Sequence, residues 1–168
     1  IMIGFNEYIA WGETNVGQDV EDLFHIKWAN KEKTKYWLDG KEVDVTFRYE
    51  EVKIKGKKSI IDTVKYTFWG PIYKTSADGN NDLAMRWLCH DEPNTDEYDV
   101  FVSAMKCKNY NDYLQATGKY NTPAQNFGFA SNDGDIALRV NGLFPAKFGQ
   151  DGRFVEHGDK SANGWNAW

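Results

Sequence analysis

The sequence predicts an α+β domain in which a layer of helices packs against a mostly antiparallel sheet. Three observations carry this. Alternation of apolar and polar residues dominates from Ile3 to Leu88, helical spacing replaces it between Tyr98 and Thr117, and alternation returns from Phe127 to Val140 around a tight turn. Strands, then helices, then strands is the order expected when helices cover one face of an antiparallel sheet. At 168 residues, with 41% hydrophobic and 15% aromatic content, the chain can bury the core of one domain, and no linker or repeat divides residues 1–168.

The elements follow in order. Ile1, Ile3 and Phe5 share one face, and a turn at Asn6-Glu7 leads into Tyr8-Ile9-Ala10-Trp11-Gly12, which predicts a hairpin. Thr14-Asn15-Val16-Gly17 reads as a turn, and DVEDLFHIKWA as a loop feeding a strand. From Lys35 to Lys74 the pattern is β throughout, with turn candidates at Asp39-Gly40 and Lys55-Gly56-Lys57 and alternation such as Val43, Val45, Phe47 and Tyr49 between them, which predicts three or four antiparallel strands. Trp69-Gly70-Pro71 is expected to end a strand, because proline cannot donate to a ladder. A polar loop over 76–81 precedes a short strand from Leu83 to Leu88.

Asn94 or Thr95 is placed to cap a first helix with Tyr98, Phe101, Val102 and Met105 on its core face. Asn109, with Asp112 three residues on, caps a second that carries Tyr110, Tyr113, Leu114 and Thr117. Phe127 to Ala130, the turn Asn132-Asp133-Gly134, and Ile136 to Val140 form a closing hairpin. The tail from Gly149, rich in Gly, Asp, Asn and Ser, is expected to add little core and no final element.

Composition excludes several classes of partner. A net charge of -5, from 20 basic and 25 acidic residues, provides no basic field for nucleic acid or anionic lipid. No apolar run reaches the roughly 18–20 residues that span a bilayer. Cys89 and Cys107 lack metal-ligand spacing, and His25, His90 and His157 are scattered, so neither set points to a metal or a nucleophile.

Three places could carry chemistry. Asp19, Glu21 and Asp22 offer two carboxylates and a backbone oxygen, a donor set suited to a hard cation, although a solvated acidic turn would look the same. Asn126, at the start of a strand, offers a fixed amide donor of the kind that stabilises an oxyanion in acyl transfer. The segment around Asn15 offers backbone N–H groups for the same purpose.

Taken together, GFNEYIAWGETNVGQDVEDLF, the YWLDG turn, TVKYTFWGPI, DLAMRW, KCKNYNDYLQA, PAQNFGFASNDGDIA and GLFPAK resemble the penicillin acylase family of N-terminal nucleophile hydrolases, in order and over nearly the whole chain. The resemblance implies an αββα sandwich and hydrolysis of a small amide, such as a penicillin, an acyl-homoserine lactone or another N-acyl compound. The reaction would run through an acyl-enzyme formed by an N-terminal serine. It implies Asn126 as the side-chain donor of the oxyanion hole, Asn15 as its backbone donor, and Asp19, Glu21 and Asp22 as a structural calcium loop. Lys147 falls where the family carries an arginine near the nucleophile, a contact to substrate or transition state that keeps the charge and loses the bidentate fork.

Residue 1 is Ile1, so the nucleophile is expected outside this chain. By the same resemblance the chain is expected to be an internal fragment of an acylase β chain, inactive alone, partnered by the remainder of a self-cleaving precursor and periplasmic or secreted. The rival reading is a carbohydrate-binding or other ligand-binding β module, since seven Trp, nine Tyr and ten Phe could leave a stacking platform exposed.

Overall fold

The computed structural model describes residues 2–77, 79–91, 97–147, 152–165 and 167. In chain order the strands are β1 (Gly4–Phe5), β2 (Ile9–Asn15), β3 (Glu21–His25), β4 (Lys35–Leu38), β5 (Lys41–Asp44), β6 (Thr46–Val52), β7 (Ile60–Thr67), β8 (Gly70–Lys74) and β9 (Leu83–Trp87). Helices α1 (Glu97–Ala104) and α2 (Tyr110–Thr117) follow, then β10 (Gln125–Ser131), β11 (Ile136–Asn141) and β12 (Glu156–His157). Short 3₁₀ turns occupy Leu88–His90 and Ser161–Asn163. The elements gather into two compact units, one from residues within 1–20 and 91–145, the other from 21–90 and 146–167.

In the first unit β1, β2, β10 and β11 form an antiparallel sheet in that order. Both predicted hairpins are present: β1 pairs with β2, and β10 with β11. Asn6 fixes the first turn by accepting the Tyr8 and Ile9 N–H groups and donating to the carbonyls of Met105 and Cys107. Thr14 and Asn15 belong to β2, opposite Asn126 and Gln125. The turn expected there is therefore a strand end, and the left-handed residue is Gly17 (φ +75°).

One face of this sheet buries Ile9, Trp11, Phe127 and Phe129 against Val100 and Ala104 of α1 and Tyr113 and Ala116 of α2. Burying each large side chain contributes roughly 1.5–3 kcal/mol. Tyr113 tilts against Phe129, with centroids 5.2 Å apart, and donates to the Gly128 carbonyl at 3.1 Å. The Asn109 cap is in place, its side chain accepting the Asp112 N–H at 2.9 Å, while Asp112 accepts the Lys108 N–H. The predicted core face of α1 is rotated. Val100 and Ala104 are buried, Phe101 and Met105 partly so, and Tyr98 is 77% exposed. The cap expected at Asn94 or Thr95 lies outside the described residues.

The other face of the sheet carries no described element. Ile136, Leu138 and Val140 on β11 are exposed there, as is Phe5 on β1. Between them run small residues of the central strands: Gly12 opposite Gly128, and Ala10 opposite Ala130.

In the second unit six strands run in the order β12-β3-β9-β8-β7-β6, with β4-β5 as a separate hairpin. The β4-β5 turn places Asp39 (φ +50°) and Gly40 (φ +75°) in left-handed conformations, the pairing that Asp-Gly favours in two-residue hairpins. Phe24 stacks on Trp69 at 3.8 Å, and Ile26, Tyr36, Val45 and Ala84 complete the core.

Two expectations change in this unit. The run from Val43 to Tyr49 breaks at Val45, which separates β5 from β6, and Phe47 and Tyr49 are exposed on the β6-β7 ribbon. The strand expected to end at Trp69-Gly70-Pro71 stops just before it, at Thr67, and Pro71 itself lies near the beginning of β8, opposite Tyr66, where strands tolerate a missing donor. Gly70 before it (φ +118°) must be glycine, since a Cβ would sit 2.3 Å from the Met85 carbonyl oxygen. The tail is also more structured than its composition suggests: β12 pairs parallel with β3, and Trp165 is buried.

Candidate functional site

In the first unit the site is built on the paired ends of β2 and β10. Successive strand residues point to opposite faces, so Gln125 and Asn126 serve different sides of the sheet. Asn126 shares its face with Thr14 and Val140, and Gln125 shares the other with Asn15 and Asn141. The Asn126 side-chain Nδ2 donates to the Thr14 hydroxyl and to the Asn15 carbonyl, both at 3.3 Å. On the opposite face Gln125, 8% exposed, donates from Nε2 to Asn15 Oδ1 at 3.0 Å. Asn15 is thus held from both sides of the sheet. The two residues named by sequence, Asn126 and Asn15, are brought together, while Gln125 and Thr14 were missed because only the strand register reveals them.

A cavity of about 300 Å³ opens beside these residues, lined by Asn15, Gly17, Gln18, Val20, Pro123, Ala124 and Gln125. Two rows of side chains further define the helix-facing side: Asn15, Gln125 and Asn141, then Glu13, Phe127 and Arg139. Burial raises the Glu13 pKa above the usual glutamate value, and its Oε2 has no hydrogen-bond partner among the described residues. Burial, helped by the Glu13 charge, also drives the Tyr113 phenol upward, so it stays a neutral hydrogen-bond donor. The Cys107 thiol is pushed up to about 11 by burial and by Asp112, which rules it out as a thiolate nucleophile at neutral pH.

The remaining candidates fall largely in the second unit. Asp22 is 1% exposed; its Oδ1 accepts from Lys147 Nζ at 2.9 Å, and its Oδ2 accepts from the Trp165 indole. The Trp165 ring in turn lies beneath the Arg86 guanidinium at 4.5 Å and the Lys147 ammonium at 5.6 Å. Gly152 closes the cluster, because a Cβ there would stand 2.0 Å from Asp22 Oδ1. Lys147 is therefore tied to a buried carboxylate, with only 9% of its side chain exposed. Glu21 points away from Asp22 and is exposed, whereas Asp19 belongs to the first unit.

Calcium prefers several converging oxygens, and among the described residues no group of three or more His, Cys, Asp or Glu converges. Both Asp22 oxygens accept from donors, so a cation on this carboxylate would have to displace the Lys147 ammonium. No described helix is long and apolar enough to cross a membrane.

Known proteins share this architecture. The thermostable penicillin G acylase from Alcaligenes faecalis superposes with a TM-score of 0.82 at 22% identity, over 99% of this chain and 30% of that one. The fold is that of the penicillin acylases. The family model for penicillin amidase matches residues 1–168, and the chain belongs to the penicillin amidase family. Among its relatives are acyl-homoserine lactone acylases QuiP from Pseudomonas syringae pv. tomato and from Pseudomonas fluorescens. The first is 28% identical over 147 residues, 86% of this chain and 18% of that protein; the second is 25% identical over 171 residues, 100% of this chain and 21% of that protein. The chain thus spans about a fifth of the length of these relatives.

Proposed function

We propose that the protein to which these residues belong is an acylase that hydrolyses a small N-acyl amide, and that β2 and β10 supply its oxyanion hole. The observation that carries this reading is the juxtaposition of Asn126 with Asn15 across the two strands, in a chain of the penicillin amidase family. In amide hydrolysis the carbonyl oxygen gains negative charge as the nucleophile attacks, and donors already in place stabilise that charge without reorganising. Asn126 Nδ2 is one donor, anchored at rest on Thr14 and Asn15, and the Asn15 backbone N–H is the other. The nucleophile of such an acylase is a serine that uses its own α-amino group as base.

The same reading gives the bare face of the four-stranded sheet a role. A sheet with helices on one side and exposed Ile136, Leu138 and Val140 on the other suits one half of an αββα sandwich, covered by a second sheet from the rest of the protein. The named relatives act on acyl-homoserine lactones, which makes N-acyl homoserine lactones the first substrates to try, with penicillins next. A periplasmic or secreted location belongs to the same proposal. The test is Asn126→Ala in the mature full-length protein. A 100- to 1000-fold fall in kcat, roughly what loss of one oxyanion donor costs, is expected; a variant with unchanged kcat would remove Asn126 from the chemistry.

A further inference from the structure

Asn15 occupies an exposed strand end with little else to hold it. β1 supports β2 only at Ala10 and Trp11, so at Asn15 the strand β2 is paired along one edge only, with β10. Just beyond, the backbone bond from Val16 N–H to the Ala124 carbonyl is long, at 3.4 Å. A backbone donor on such an end can serve a transition state only if its position is fixed, because small displacements of catalytic groups are costly.

Beside the Asn126 amide on the Asn15 carbonyl at 3.3 Å, the second and shorter fixing contact is the Gln125 side chain. It is buried on the face away from Asn126 and donates to Asn15 Oδ1 at 3.0 Å. Burial strengthens that hydrogen bond and restricts the rotamers of the glutamine. Its other cross-strand neighbour, Asn141, is 6% exposed, and the Asn141 Nδ2 has no partner among the described residues. The row Asn15–Gln125–Asn141 is therefore a polar strip at the end of the helix-facing side with two of its three side chains buried, and burying polar groups is costly. A leucine at 125 would pack there without that cost, so packing alone does not account for the amide.

We propose that Gln125 is a positioning residue: through the Asn15 side chain it sets the backbone of Asn15, and hence the second arm of the oxyanion hole. The inference rests on the acylase reading above. Asn126 and Gln125 then act as a pair of adjacent amides, one presented to the reacting carbonyl and the other, on the reverse of the sheet, steadying the strand that carries its fellow donor.

The test is a double-mutant cycle in the mature full-length protein with a chromogenic N-acyl anilide. Gln125→Met keeps the volume and removes the donor; Asn15→Ala removes the acceptor and leaves the backbone N–H. Each is expected to lower kcat about tenfold with KM within about twofold, the signature of an interaction felt in the transition state. The double variant is expected to be no worse than either single one, since both break the same link. Multiplying effects, or an Asn15→Ala variant with unchanged kcat, would overturn the proposal. If Gln125→Met fails to fold, Asn15→Ala decides alone, because that side chain is exposed. Asn126→Ala separates the two levels of argument. If it abolishes turnover while both cycle variants stay active, only the Gln125 inference fails; if it leaves turnover intact, the acylase reading itself fails.

Discussion

Replacing Lys147 by methionine tests whether the cluster around Asp22 holds the second unit together. The Asp22 carboxylate is wholly inaccessible and the Lys147 side chain 9% exposed, with 2.9 Å between ammonium and oxygen. Methionine keeps most of the stem but removes the ammonium from Asp22 Oδ1, while the Trp165 indole still donates to Oδ2. Removing one member of a buried pair leaves an uncompensated charge and costs about 3–5 kcal/mol. Loss of the ammonium beside the Trp165 ring adds up to about 1 kcal/mol. With a urea m-value of about 1–3 kcal/mol/M, the unfolding midpoint should fall by at least about 1 M. Tryptophan fluorescence is a direct reporter, since Trp165 is part of the cluster. Asp22→Asn combined with Lys147→Met should recover much of the loss, because a neutral amide is cheaper to bury than a lone carboxylate. A Lys147→Met variant within about 1 kcal/mol of the parent, the range of an exposed pair, would refute the reasoning.

Two further predictions follow from the site geometry. Millimolar calcium or EDTA should leave the urea midpoint unmoved, because Lys147 occupies Asp22 Oδ1; a calcium-dependent rise would place a cation on that carboxylate. Glu13→Gln should flatten the dependence of Tm on pH. With its folded pKa raised above 4.5 by burial, the folded state holds the Glu13 proton longer than the unfolded state. Stability therefore falls as pH rises from the unfolded value through the folded one and stays lower above it. Comparing Tm at pH 4 and pH 8 should give a smaller loss for the glutamine variant, and an equal loss would exonerate Glu13.

What the sequence revealed was mostly local. Asn109 and Asp112 announce a helix start within four positions, and Asn132-Asp133-Gly134 announces a hairpin, because the relevant hydrogen bonds form between near neighbours. Asn126 was recognisable through the family motif around it. The rest depends on contacts distant in sequence. Nothing near Trp165 signals that its indole meets Asp22, 143 positions away. Nothing near Gln125 signals Asn15, 110 positions away. Phe47 and Tyr49 alternate as a half-buried strand should, yet lie exposed, since periodicity specifies a face and not what covers it. Tyr98 fits the helical spacing of α1, but the buried face turned toward Val100 and Ala104 instead.

The placement of Gln125 and Asn126 on opposite faces of β10 limits how this region can vary in length. Side chains in a strand repeat every two residues, so inserting or deleting one residue within the paired part of β10 would exchange the two amides between the faces, and one within β2 would take Asn15 out of register with Gln125. The Asn126 carboxamide, the oxyanion donor of the proposed reading, would then point into the helices, while the Gln125 carboxamide would face outward. Homologous chains should therefore absorb length changes in the 132–135 turn or beyond Gly17, and keep the spacing from Asn126 to the hairpin tip constant. In a library with random single-codon insertions, survivors should be depleted across 9–15 and 125–131 far more sharply than burial alone would dictate.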